Sequence, residues 1–283
     1  MLRPWFRFRP LTLALAALAV PAIAAATDAD DWLWDEPPPA PGLAGPRLAP
    51  ERTPPVDRSA AAWSAQAGFL AERLAASGLE LGARVYLRIF KASRELELHL
   101  HDGERWRLVR TYPVCDVSGT LGPKRFEGDL QAPEGFYDVV AERLHPGSDF
   151  HLAFNLGFPN AFDAAWDRTG SNIMIHGGCA SRGCFAMTDY YMEQLYVVVE
   201  AALRAGQDAV PVHVFPFRMT PDNLRARAGS RWIEFWRSLR PAYEHFEQFG
   251  EIPDVLADDG RYVVRSRDPD PVAGSDTGTL SAP

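Results

Sequence analysis

Residues 173–189 read IMIHGGCASRGCFAMTD. An apolar run ends on His176, and three glycines, Ser181, Arg182 and the thiols of Cys179 and Cys184 follow before a helical pattern begins. Glycine costs backbone entropy and fills no volume, so core packing has little use for such a loop. The stretch predicts a strand, a reactive loop and a helix in succession, with Thr188 as N-cap and Asp189 at the positive end of the helix.

Working outward, the helix runs to about Ala205 and closes at Gly206, and Val210 to Phe215 follows as a short strand. Upstream, Val85, Leu87 and Ile89 alternate with Tyr86, Arg88 and Phe90. Turns at Ser93-Arg94 and Asp102-Gly103 then separate Leu96 to Leu100 and Trp106 to Val114, which predicts a meander of antiparallel strands. Gly119, Gly122, Pro123 and Gly128 mark a long loop, and Phe136 to Val140, His151 to Leu156 and Ile173 to Ile175 read as further strands. Over 59–77, Trp63, Ala67, Leu70 and Leu74 recur at helical spacing, with Ser59 as a cap and Gly78 as a stop. Pro221 to Phe249 is helical in pattern, with an aromatic face that must pack on something.

The ends read differently. Arg3, Arg7 and Arg9, an apolar run from Leu11 to about Val20, and Ala22-Ile23-Ala24 make a secretory signal over residues 1–24. That run is short of the roughly 20 residues a membrane span needs, so no stable span is expected after cleavage. Residues 25–58 carry eight prolines and read as a disordered linker, and 266–283 as a disordered tail. Between them lie an N-terminal helical segment (59–83), a catalytic domain (84–219) and a C-terminal helical extension (220–265). A formal charge of -8 excludes nucleic acid and anionic membrane surfaces as main partners.

Three cysteines in an exported chain leave at least one unpaired. Cysteine attacks carbonyls only as thiolate and needs a proton acceptor nearby, which His176 supplies if the loop folds it against Cys184. Acyl transfer through a thioester is the chemistry this predicts. Beside the reading of His176 as only a core histidine after an apolar run, two others stay open. Cys179 could be bonded to Cys184, or Cys115 to either, giving a structural staple; Cys115–Cys179 is the favoured pair, because it leaves Cys184 free. Zinc on Cys179, Cys184, His176 and His213 is the other, although the spacing matches no common structural site; no metal or cofactor is expected.

His176-Gly177, followed by Ser181-Arg182-Gly183-Cys184, resembles the signature of the L,D-transpeptidase catalytic domain family, YkuD. Tyr112-Pro113-Val114-Cys115, Leu121-Gly122-Pro123-Lys124, Pro133-Glu134-Gly135-Phe136-Tyr137, Asn155 to Asn160 and Phe215 to Met219 resemble its YafK-type subgroup in the same order. The resemblance implies a mainly β, sandwich-like catalytic domain with appended helices, and an enzyme of cell-wall biogenesis and cell shape acting on peptidoglycan stem peptides in the periplasm. It implies Cys184 as nucleophile, His176 as base and Gly177 as the carbonyl orienting the imidazole. Ser181 and Gly183 would shape the loop, and the amides of Gly183 and Cys184 would hold the oxyanion. Arg182 and Lys124 are then candidate partners for substrate carboxylates, and Glu134, with Glu127 and Asp129, for an ammonium group. Arg182 stands where the wider family has His and Ala186 where it usually has Arg, and the spacer between His and Cys is shorter. The acceptor of the acyl group is left open between an amine, a lysine of an envelope protein, and water. The alternatives are therefore a hydrolase of the same family and, from another class, a non-catalytic envelope-binding module with a disulfide-held loop.

Overall fold

The computed structural model describes residues 58–265; the expected signal, most of the linker and the tail lie outside them. In chain order the elements are α1 (Arg58–Ala75), β1 (Val85–Phe90), β2 (Glu95–His101), β3 (Trp106–Pro113), β4 (Asp116–Val117), β5 (Gly135–Val139), β6 (Leu144–His145), β7 (Ala153–Asn155), α2 (Ala161–Ala165), β8 (Met174–His176), β9 (Phe185–Ala186), α3 (Asp189–Arg204), β10 (Val210–Phe215), α4 (Pro221–Arg225), α5 (Ile233–Phe249), β11 (Asp254–Asp258) and β12 (Arg261–Arg265). Two five-stranded mixed sheets, ordered β3-β2-β1-β10-β5 and β4-β9-β8-β7-β6, and a separate β11-β12 hairpin carry these strands.

The meander read from the sequence forms as β1, β2 and β3, with Leu87 opposite Leu98 and Leu98 opposite Arg110. β10 inserts on the other side of β1 and runs parallel to it. Every residue of β1 is buried, including those of its mixed polar and aromatic face. That face is covered by α5: the Tyr86 and Phe246 rings lie 5.0 Å apart, and the Arg88 guanidinium sits 4.9 Å from the Phe246 ring. Arg88 is buried because its charge is answered, by Glu97 at 2.9 Å and Glu247 at 2.6 Å, as a charge removed from water requires. Glu97 is held down to about 2, against its own burial, by His99, Arg88 and Arg218.

Three expectations change. The buried stripe of α1 is Ser59, Ala62, Gln66, Leu70 and Leu74, so Trp63 and Ala67 flank it. Ser59 lies inside the helix, and its hydroxyl donates to Glu200 of α3 at 2.8 Å in place of capping. The polar members of the stripe have charged partners on α3, Gln66 reaching Glu193 at 3.0 Å, which is why they can be buried. The C-terminal extension is also not helical throughout. Its helices break between Arg225 and Ile233, and the chain ends in the β11-β12 hairpin. Asp259 and Gly260, with φ of 43° and 67°, form the two-residue connection between Asp258 and Arg261. Asp-Gly between alternating apolar residues is the sequence signal for such a turn.

Candidate active site

His176 ends β8 in the second sheet and Cys184 directly precedes β9, with the seven-residue loop between them. β8 and β9 pair in parallel, with Ile175 opposite Phe185 and His176 opposite Ala186. Cys184 stands directly before β9, beside Met174, two residues back from His176 along β8. Both line one open cleft of about 580 Å³, with Phe150 and Met174 among its apolar walls and Arg182 and Asp149 among its charged ones.

The imidazole is oriented from behind. His176 Nδ1 lies 2.6 Å from the Gly177 carbonyl, which fixes Nδ1 as the donor and leaves Nε2 as the lone-pair acceptor. Burial lowers the His176 pKa, partly offset by the Gly177 carbonyl and by Asp116, which favours the neutral ring. Phe150 covers it at 4.7 Å between ring centroids. Gly177 has no room for a side chain: a Cβ would lie 2.7 Å from both Asp189 Oδ1 and the Phe150 carbonyl.

Cys184 is a free thiol, while Cys115 and Cys179 are bonded to each other with Cα atoms 5.4 Å apart. The Cys184–Cys179 staple is therefore not formed, and Cys179 is withdrawn from the zinc reading; among the described residues no group of three or more His, Cys, Asp or Glu is arranged to hold a metal. Cys184 Sγ accepts from the Met174 N–H at 3.4 Å and lies 3.5 Å from the Asn172 carbonyl. Burial pushes its pKa up, against the Met174 amide and the Lys124 charge. Burial thus favours the thiol over the thiolate and the neutral imidazole over the imidazolium.

Around the thiol the loop is tied to a segment that sequence reading passed over. The Ser181 N–H donates to Asp116 Oδ2 at 2.8 Å, and the Gly183 N–H donates to Ser118 Oγ. Ser181 Oγ accepts from the Cys184 N–H at 3.1 Å and donates to the Cys184 carbonyl at 2.7 Å. The amides of Gly183 and Cys184, expected as oxyanion donors, are therefore both engaged by hydroxyls in this structure. Gly183 has φ of 104°, a conformation that favours glycine. Thr188 stands at the N-cap position of α3, but its side chain makes no cap bond. Asp189 instead turns back to accept from the Gly178 N–H at 2.7 Å, closing the far side of the loop.

Three expected substrate contacts, at Lys124, Asp129 and Glu134, are corrected. Lys124 is 2% exposed, with Nζ 2.6 Å from Asp129 and 3.0 Å from the Phe126 carbonyl, so neither Lys124 nor Asp129 is free to meet a ligand. Glu134 is fully buried and bound by Lys91 at 3.0 Å, the Gly122 N–H at 2.6 Å and Trp236 at 2.8 Å. All three side chains build the 119–134 loop. Arg182 is the candidate that the structure leaves exposed at the cleft, and Asp149, which sequence reading did not single out, joins it there.

Residues 84–214 match the family described as YkuD, L,D-transpeptidase catalytic domain. "Putative L,D-transpeptidase YafK" of Escherichia coli strain K12 is 44% identical over 184 residues, covering 65% of this chain and 75% of that protein. This chain belongs to the L,D-transpeptidase family. Among solved structures, a variant of the helical cell shape determining protein Pgp2 from Campylobacter jejuni is 21% identical over 62% of each chain, with a TM-score of 0.38. Mycobacterium tuberculosis L,D-transpeptidase 1 is 16% identical over 48% of this chain and 64% of its own, with a TM-score of 0.27. The family assignment rests on the sequence matches. For an L,D-transpeptidase, the mainly β architecture with appended helices is the expected one, and no helix among the described residues is long and apolar enough to cross a membrane.

Proposed function

We propose that this chain is a periplasmic cysteine L,D-transpeptidase that acts at the diaminopimelate position of peptidoglycan stem peptides through a thioester. The observation that carries this reading is that His176 and Cys184 line one cleft, with Nδ1 committed to the Gly177 carbonyl. His176 Nε2 takes the thiol proton as Cys184 Sγ attacks the carbonyl on the L-centre side of diaminopimelate. Collapse of the tetrahedral intermediate breaks the C–N bond, and the imidazolium returns the proton to the departing amine. The thioester is then resolved by an amine, giving a cross-link or an anchored protein, or by water, giving hydrolysis.

Arg182 and Asp149 supply opposite charges at the cleft, suited to the carboxylate and ammonium at the end of a diaminopimelate side chain. The Cys115–Cys179 disulfide supports export, since such bonds persist in oxidising compartments. Hydrolysis, including release of an envelope protein linked to diaminopimelate, is the second reading. It is favoured by the open cleft, which admits water to the thioester.

The test is incubation with purified sacculi, with and without a protein-linked stem peptide, and mass analysis of the products. New cross-links, shortened stems or released protein identify the acceptor. The Cys184→Ala variant is expected to fold and to yield none of the three. Full activity in that variant would sink the mechanism, and an inactive wild type would favour the binding-module reading.

A further inference from the structure

One wall of the Cys184 cleft is the connection between β6 and β7, where Ser148, Asp149 and Phe150 line the cavity. Phe150 is 52% exposed, yet its ring lies 4.7 Å from that of His176, which is itself only 3% exposed. A ring with half its surface in water has few neighbours to hold it, so its place over the imidazole depends on the backbone that carries it.

That backbone is gripped from α1. Arg58, the first residue of the helix, donates from Nη1 to the Ser148 carbonyl at 2.5 Å and to the His151 carbonyl at 3.1 Å. The two carbonyls bracket Asp149 and Phe150, so one guanidinium ties the segment on both sides, through bonds that its charge strengthens. His151 needs the support, because its φ of 70° is a left-handed conformation that residues with a Cβ seldom adopt. On the inner side the segment abuts the residue that orients the imidazole: a Cβ on Gly177 would lie 2.7 Å from the Phe150 carbonyl and 2.9 Å from the His151 Cβ. Arg58 is anchored in turn, since Ser59 and Trp63 both bond Glu200 of α3. Gln66 and His151 share Glu193 of the same helix, at 3.0 and 2.9 Å, so α1 and the cleft wall rest on one support.

We propose that Arg58 is a positioning residue for the cleft, which holds Asp149 and Phe150 against His176 and so makes α1 part of the site. Its bearing on turnover rests on the proposed L,D-transpeptidase reading; the placement of the ring does not. With Phe150 in place the imidazole is kept from water, and the charged ring is disfavoured. Releasing the segment admits water to His176 and eases its protonation. The other titratable groups around the ring are Asp116 on β4, Cys184 before β9, Arg182 in the loop, and His145 and Asp149 on the β6–β7 side. Of these only Asp149 sits between the two carbonyls that Arg58 holds, and its departure would make protonation harder, so easier protonation reports the lost ring.

The test is NMR titration of the His176 ring in the whole protein, with its signal assigned by loss in His176→Gln. Arg58→Ala and Phe150→Ala are each expected to raise the proton affinity of the ring at least about threefold. The double variant is expected to add nothing to Phe150→Ala, because Arg58 acts through that ring. Arg58→Lys, which keeps a charged donor, is expected to restore most of the wild-type behaviour. Phe150 is exposed, so its variant reads the effect of the ring even if Arg58→Ala loosens α1. On a purified muropeptide, Arg58→Ala is expected to lower kcat/KM at least about fivefold, with Arg58→Lys recovering most of it. A His176 titration in Arg58→Ala unchanged from wild type, or effects that add in the double variant, overturns the proposal. So does an active wild type whose kcat/KM survives Arg58→Ala unchanged. The titrations need no substrate, so a wild type inert on muropeptides would sink the transpeptidase reading while the expected titrations left the role of Arg58 standing.

Discussion

Replacing Ser118 by Ala tests whether the loop amides matter to the thiol. Ser118 Oγ accepts the Gly183 N–H and lies 3.3 Å from Ser181 Oγ, which in turn holds both backbone groups of Cys184. Gly183 is buried, so removing the hydroxyl leaves its N–H without this acceptor, at a cost of about 1–3 kcal/mol. If that cost falls on the geometry reached in the transition state, kcat/KM drops between roughly 5-fold and 150-fold. The assay is turnover of a purified muropeptide, run beside the rate of Cys184 alkylation by iodoacetamide and the melting temperature. Ser118→Thr keeps the hydroxyl and is expected to restore most of the loss. An alanine variant that melts lower yet keeps kcat/KM and the alkylation rate within twofold of wild type would refute the argument. Ser118 would then support the fold without positioning the nucleophile.

The pH dependence of kcat/KM is expected to have its acid limb below the ordinary histidine value, because burial lowers the His176 pKa and activity needs the neutral ring. Its alkaline limb is expected above the ordinary thiol value, because burial raises Cys184 and the pair must keep one proton for the leaving amine; a steady-state profile from pH 4 to about 10 checks both signs. Gly177→Ala places a methyl 2.7 Å from Asp189 Oδ1 and from the Phe150 carbonyl, so a destabilisation of about 1–3 kcal/mol in urea and a loss of turnover are expected. Replacing Cys115 and Cys179 together by Ser opens a crosslink between residues 64 apart, which in the chain-entropy limit costs about 4 kcal/mol. Denaturant titration measures that loss, and a midpoint unchanged from wild type would show that the noncovalent ties already hold the loop.

Legibility in the sequence followed the range of the interactions. The β1-β2-β3 meander was readable because its alternation and turns are local, and α3 because its apolar periodicity is strong. The exact stripe of α1 was not, since Ala62 and Gln66 are buried only through what α3 presents, namely Glu193 and an apolar face. His176 and Cys184 announced themselves by residue type and by their glycine neighbours. Lys124 and Glu134 misled for the opposite reason. A charged residue in a glycine-rich loop reads as solvated or ligand-facing, and only the fold brings Asp129 to the one and Lys91 and Trp236 to the other. The Asp-Gly turn of the last hairpin was a readable signal that the aromatic helix before it obscured.

The same distinction explains why the loop between His176 and Cys184 can be short. Seven residues separate His176 from Cys184, with two glycines at one end and Gly183 at the other, a composition that by itself permits many shapes. Three of those seven are fixed by one segment of four residues: Cys179 by the disulfide to Cys115, Ser181 by the Asp116 carboxylate, and Gly183 by the Ser118 hydroxyl. The segment is itself fixed, because β4 pairs with β9 and the Cys115 N–H donates to the Ala186 carbonyl at 2.8 Å. Its last tie is therefore to the strand that begins directly after Cys184. Residues 115–118 thus act as a template that sets the loop against its own exit strand. The template is 60 or more positions away in sequence and carries a disulfide, an amide-to-carboxylate hydrogen bond and an amide-to-hydroxyl hydrogen bond. Weakening any one leaves two, so single substitutions at Asp116 or Ser118 should be read in rate, and the loss of the covalent tie in stability.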